Sequence, residues 1–149
     1  MQREFVTYEI ALKLKELGFD EECFAIFFRT ILNNGRTVNY ISDDWESPFY
    51  KNRTNSESNS VAIVSAPLWQ QVIDWFLKKK HLYIDITFKE VKGPKIEGIN
   101  SVYFDIEIYS IFGGDAWKKY RFSEISDDYY YAREQAILKA IELCKDKKF

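Results

Sequence analysis

The stretch APLWQQVIDWFLKKKHLYIDITFKE, residues 66–90, decides the fold, because the spacing of its apolar residues changes partway along. Leu68, Trp69, Val72, Ile73, Phe76 and Leu77 recur as one face of a helix, with Gln70, Gln71, Asp74 and Lys78 turned away. Pro67 reads as the first helical residue or its neighbour, where a missing N–H costs nothing. After His81 the pattern becomes strict alternation. Leu82, Ile84, Ile86 and Phe88 interleave with Tyr83, Asp85, Thr87 and Lys89, the signature of a half-buried strand. Val102, Phe104, Ile106 and Ile108 repeat it opposite Tyr103, Asp105, Glu107 and Tyr109. Gly113-Gly114-Asp115 then turns the chain into a third strand around Trp117 to Phe122. Ser126-Asp127-Asp128 supplies a cap and negative charge for a last helix, whose buried stripe is Ala136, Ile137, Ala140, Ile141 and Cys144.

Working back toward the N-terminus, Thr7 reads as the N-cap of a first helix, Val6 staples onto Ala11, and Ile10, Leu14 and Leu17 recur before Gly18 ends the helix. The apolar, aromatic and β-branched run from Cys23 to Leu32 predicts a strand that includes Phe24 in the core. Asn34-Gly35 marks a hairpin turn, since both residues tolerate positive φ, and Arg36 to Ile41 return. The fold class is α+β: an N-terminal helix and β-hairpin, then a helix, a three-stranded antiparallel meander and a C-terminal helix. One domain over residues 1–149 is expected, with a long polar loop at 42–60 that holds Trp45, Phe49 and Tyr50.

Composition removes most catalytic classes. One His, two distant Cys and no glycine-rich phosphate loop leave no zinc site, no Ser-His-Asp or Cys-His pairing and no nucleotide cradle to propose; no cofactor is expected. Cys23 and Cys144 read as reduced core thiols, in keeping with the cytoplasm. No signal peptide and no apolar run long enough to span a membrane is apparent. A net charge of −2 gives no global attraction to nucleic acid or anionic lipid.

Two segments, FVTYEIALKLKELGFDEECF (residues 5–24) and APLWQQVIDWF (residues 66–76), resemble a family of small uncharacterised bacteriophage and prophage proteins, in which a similar Ala-rich helix closes the chain. The resemblance covers about half the chain and brings no assigned activity. It implies a phage product working inside a bacterial cell.

The order helix, three strands, helix also resembles a double-stranded-RNA-binding domain, whose phosphate contacts come largely from basic residues at the start of the final helix. Here that position holds Asp127, Asp128, Tyr129, Tyr130 and Tyr131, so the acids oppose the activity the topology implies. Lys78, Lys79, Lys80, Lys118, Lys119 and Arg121 are the candidate substitute patch, with solvated surface the stronger account of each. Asp85, Asp105 and Glu107 share one strand face and could hold Mg²⁺ as in a metal-dependent nuclease, and Glu90-Val91-Lys92 fits the same idea. Cross-strand pairing on a solvated face is the stronger account of those charges. His81, after three lysines, reads as a solvated helix cap rather than a general base.

Aromatic residues make up 17% of the chain, more than the core stripes use. Three successive tyrosines cannot all point inward from one helical turn, and Trp45, Phe49 and Tyr50 lie in polar sequence. Aromatic anchors beside carboxylates are what interfaces use. The expectation is a non-enzymatic binding protein that docks a host protein, such as a defence nuclease of the CRISPR type, through Trp45, Phe49, Tyr50, Asp127, Asp128, Tyr129 and Tyr130.

Overall fold

The computed structural model describes residues 4–32, 37–42, 63–90, 102–110, 119–124 and 128–146. Trp45, Phe49, Tyr50, Trp117, Lys118, Asp127 and the turns at Asn34-Gly35 and Gly113-Gly114-Asp115 lie outside them. The fold is α+β, and the described residues form three helices and two three-stranded antiparallel sheets. The chain divides into two compact units, Met1–Val72 and Ile73–Phe149.

In the first unit α1 spans Tyr8–Glu16. Thr7 caps it, its hydroxyl accepting from the Ile10 N–H at 3.4 Å. Gly18, at φ +85°, closes the other end while Phe19 N–H donates to the Leu14 carbonyl. An added Cβ at Gly18 would meet nothing within 4 Å, so the need for glycine is conformational rather than steric. Tyr8, Ile10, Ala11 and Leu14 are buried, as the spacing requires.

The hairpin is present: β1 (Ala25–Ile31) pairs antiparallel with β2 (Thr37–Ser42), in a register that sets Ile31 opposite Thr37. A further strand, β3 (Ile63–Ala66), pairs with the other side of β1 and sets Ala25 opposite Ala66. This corrects the reading of the segment at Pro67 as a helix start. Ser65 and Ala66 end a strand, the Pro67 carbonyl accepts from Val6 N–H at 3.1 Å, and the helix begins two residues later. As the middle strand, β1 has Ala25, Ile26 and Phe27 buried in succession. Phe24, by contrast, is 65% exposed, because it precedes the first ladder pair rather than sitting in it. The Gln71 amide donates to the Glu22 carbonyl at 2.6 Å and accepts from the Cys23 thiol at 3.7 Å, tying the lead-in to β1 to the first turns of the next helix.

That helix, α2 (Trp69–Lys80), contains the boundary between the units. Trp69, Val72, Trp75 and Phe76 are buried along it, whereas Leu77 is exposed. Trp75, three residues after Val72, widens the buried stripe beyond the one the apolar spacing marks.

In the second unit β4 (Leu82–Glu90), β5 (Val102–Ser110) and β6 (Lys119–Glu124) form the expected meander, with β5 in the centre. β4 and β5 pair over nine residues without a bulge, from Leu82 opposite Ser110 to Glu90 opposite Val102. α3 (Tyr129–Lys145) packs on β4 and β5. Ala132, Ala136 and Ala140 recur every fourth residue, so their small side chains fall in one line, and with Ile137, Ile141 and Leu143 they are buried. Among the described residues, Leu82, Ile84, Phe104, Ile106 and Ile108 are the buried apolar strand residues of this unit. Two expectations change here. Phe88 is 55% exposed, being near the end of an edge strand, and Cys144 is only half-buried.

Candidate functional site

The alternation in β4 and β5 places Asp85, Thr87, Asp105, Glu107 and Tyr109 on one face of the second sheet, and β6 adds Arg121. Arg121 stands directly opposite Glu107 and reaches diagonally to Asp105. Its Nε donates to Asp105 Oδ1 at 2.9 Å and its Nη2 to the other oxygen, a two-pronged pair. Glu107 Oε1 lies 3.5 Å from the same Nε, and Glu107 also accepts from the Tyr109 hydroxyl. Asp85 accepts from Thr87 at 3.1 Å. Asp105 is only 3% exposed although it sits on the polar face, because the fork lies across it. The hydrogen bond and charge of Asp105 push the Arg121 guanidinium still higher than its ordinary value.

One arrangement therefore engages members of two candidate sets. Asp105 and Glu107, two of the three acids suited to a cation, meet the Arg121 guanidinium, and this member of the basic patch has its charge countered. Among the described residues no group of three or more His, Cys, Asp or Glu side chains is placed to hold a metal. No described helix is long and apolar enough to cross a membrane.

The other basic residues sit at the end of α2. Lys78 and Lys79 are exposed there, and Lys80 Nζ lies 4.9 Å from the centre of the Trp75 ring, a cation–π contact. Lys119 opens β6 opposite Tyr109. His81 follows the last helical residue at φ 54°, the left-handed position that usually holds glycine. Its role as a helix-ending residue thus has a backbone cost. His81→Gly should stabilise the protein by about 0.5–1 kcal/mol in urea unfolding, and His81→Val should destabilise it. A loss of stability in His81→Gly would show that the imidazole contributes more than the strained backbone takes away.

At the start of α3, Asp128 is the N-cap, its Oδ1 accepting from Tyr130 N–H at 2.8 Å. The cap fixes the first turn, and that turn carries Tyr129, Tyr130 and Tyr131, which are 44%, 39% and 45% exposed. The rings are linked. Phe88 meets Phe104 edge to face at 5.7 Å, Phe104 meets Tyr129 at 5.8 Å, and Tyr129 meets Tyr130 at 6.3 Å. The Arg133 guanidinium, one turn along, lies 5.6 Å from the Tyr129 ring centre and 5.1 Å from that of Tyr130. The row is anchored in the core through Phe104 and opens to solvent at both ends. Tyr129 and Tyr130 fall where the sequence placed a docking surface. Phe88 is an addition, masked in the sequence by a strand alternation that assigns it to the core. The chain matches no protein-family model, no curated protein and no solved structure.

Proposed function

We propose that this chain is a non-enzymatic binding protein that docks another protein on the aromatic row at the start of α3. The observation that supports the reading is the exposure of Tyr129, Tyr130 and Tyr131 on a turn fixed by Asp128 and backed by the buried Phe104 ring. Large aromatic side chains held rigidly lose little conformational freedom on binding, and such anchors carry most of the energy of an interface. Asp128 beside them favours a basic partner surface, and Trp45, Phe49, Tyr50 and Asp127 belong to the same reading on sequence grounds. The resemblance of residues 5–24 and 66–76 to phage proteins supplies the setting: the bacterial cytoplasm, with a host protein as partner and a nucleic-acid-binding defence nuclease as the preferred target.

Affinity capture from bacterial lysate tests this. The wild-type chain should retain one partner in stoichiometric amount, and a chain with Tyr129→Ala, Tyr130→Ala and Tyr131→Ala should retain at least about thirtyfold less. Equal capture by both, or none by either, removes the reading. Retention of duplex RNA at low salt, lost on charge reversal of Lys78 and Lys79, would put an RNA-binding module in its place.

A further inference from the structure

The edge of the second sheet carries a pattern that fits a second copy of itself. Among the described residues β4 pairs with β5 alone, so its other edge presents the backbone groups of a nine-residue strand. Proteins usually blunt such an edge with proline, a bulge, shortness or charge; β4 has no proline or bulge and is nine residues long, and its charges Asp85 and Lys89 are of opposite sign, which suits pairing with a second copy. It also keeps Tyr83 and Phe88 exposed.

We propose that two copies associate through β4, antiparallel about a two-fold axis at Thr87, to join their sheets into one of six strands. A register centred on Thr87 sets Asp85 of each copy opposite Lys89 of the other, Ile86 opposite Phe88, and Thr87 opposite Thr87. Among registers that keep each side chain on its own face, it is the one that pairs Asp85 with Lys89; centring on Asp85 instead would set two carboxylates against each other. The same surface serves both partners, as a closed two-fold contact requires. Phe88, half of whose surface is exposed in the single chain, is covered by Ile86 of the second copy. Phe88 is common to this interface and to the aromatic row, whereas Tyr129, Tyr130 and Tyr131 take no part, so a loss of docking on their removal leaves the dimer test unaffected.

The test is sedimentation equilibrium of the full chain with Asp85→Lys, with Lys89→Glu, with both, and with the two single variants mixed. The wild type should dimerise, and each single reversal should weaken dimerisation by about tenfold or more. The double variant, and the equimolar mixture, should return to within about threefold of wild type, because both restore opposite charges across the axis. A wild type that is monomeric up to about 1 mM overturns the proposal and leaves the edge to an extended segment of another protein. So does a dimer indifferent to the single reversals, or a mixture no tighter than its components. Should a reversed chain fail to fold, wild-type hydrogen exchange decides: β4 amides not bonded to β5 should be better protected at high concentration than at low. Exchange independent of concentration overturns the proposal.

Discussion

Phe104→Ala should remove about 3–5 kcal/mol of stability, a large share of what holds a domain of this size folded. Phe104 lies in the central strand β5, is almost wholly buried, and touches Phe88 and Tyr129 through its ring. Its removal leaves a cavity that two flanking rings and the β5 backbone cannot easily fill. Tyr130→Ala should behave in the opposite way. Its ring is exposed, meeting the Arg133 guanidinium and the edge of the equally exposed Tyr129, so the loss of stability should stay near or below about 1 kcal/mol. Affinity for the captured partner should fall by about 2 kcal/mol or more. Urea unfolding of both variants, at unchanged denaturant slope, together with titration of the partner, separates the two roles. If Tyr130→Ala unfolds as readily as Phe104→Ala, the exposed row is packing and the docking proposal loses its support.

The second large effect is a reversal of rank with pH. Burial pushes the Cys23 thiol from an ordinary 9.0 up to about 12, with the charge of Glu21 acting in the same direction. Between these values the folded chain keeps a proton that the unfolded chain has released. The native state therefore binds more protons across that window, and its stability falls as pH rises through it, by at most about 1.4 kcal/mol per pH unit. At pH 7 the thiol is neutral in both states and only packing counts, so Cys23→Ala should be the less stable protein by about 1 kcal/mol. By pH 10.5 the wild type has lost about 2 kcal/mol that the variant keeps, and the order should invert. Every other ionisable group is common to the two proteins, so the difference between them isolates Cys23. A wild-type advantage that is the same at both pH values would show that the thiol ionises freely within the fold.

The elements that announce themselves in the sequence are those with a local physical cause. Thr7 and Gly18 bound α1 because a cap and a positive φ are written in single residues, and the alternation from Leu82 to Lys89 is long enough to distinguish a strand from a helix. β3 escaped because four residues are too few to show a period and Pro67 mimics a helix start. Burial misled at strand ends: Phe24 and Phe88 fit the apolar phase, yet the sheet does not cover them. Asp105 fits the polar phase, yet Arg121 buries it, and a diagonal partner on another strand leaves no mark in linear spacing. For the candidate site, the tyrosine run was legible because three adjacent residues span too wide an arc to share one buried face. The rings that back it, from residues 88 and 104, depend on register, which only the folded sheet supplies.

The two sheets differ in how far the chain must travel to complete them. β4 pairs with β5 and β5 with β6, each pair consecutive in sequence, whereas β1 accepts its second neighbour only after the chain has left β2 at Ser42 and returned at Ile63. Sequence-local pairing is kinetically cheap, and distant pairing waits on loop closure. The meander can zip up from its own hairpins, while the sheet around β1 stays a two-stranded ribbon, marginal by itself, until β3 arrives. Lengthening the connection between Ser42 and Ile63 changes the closure entropy only logarithmically, by about 0.6 kcal/mol for each doubling. Evolution is thus free to enlarge that segment, at the expense of how fast the first sheet closes rather than whether it does.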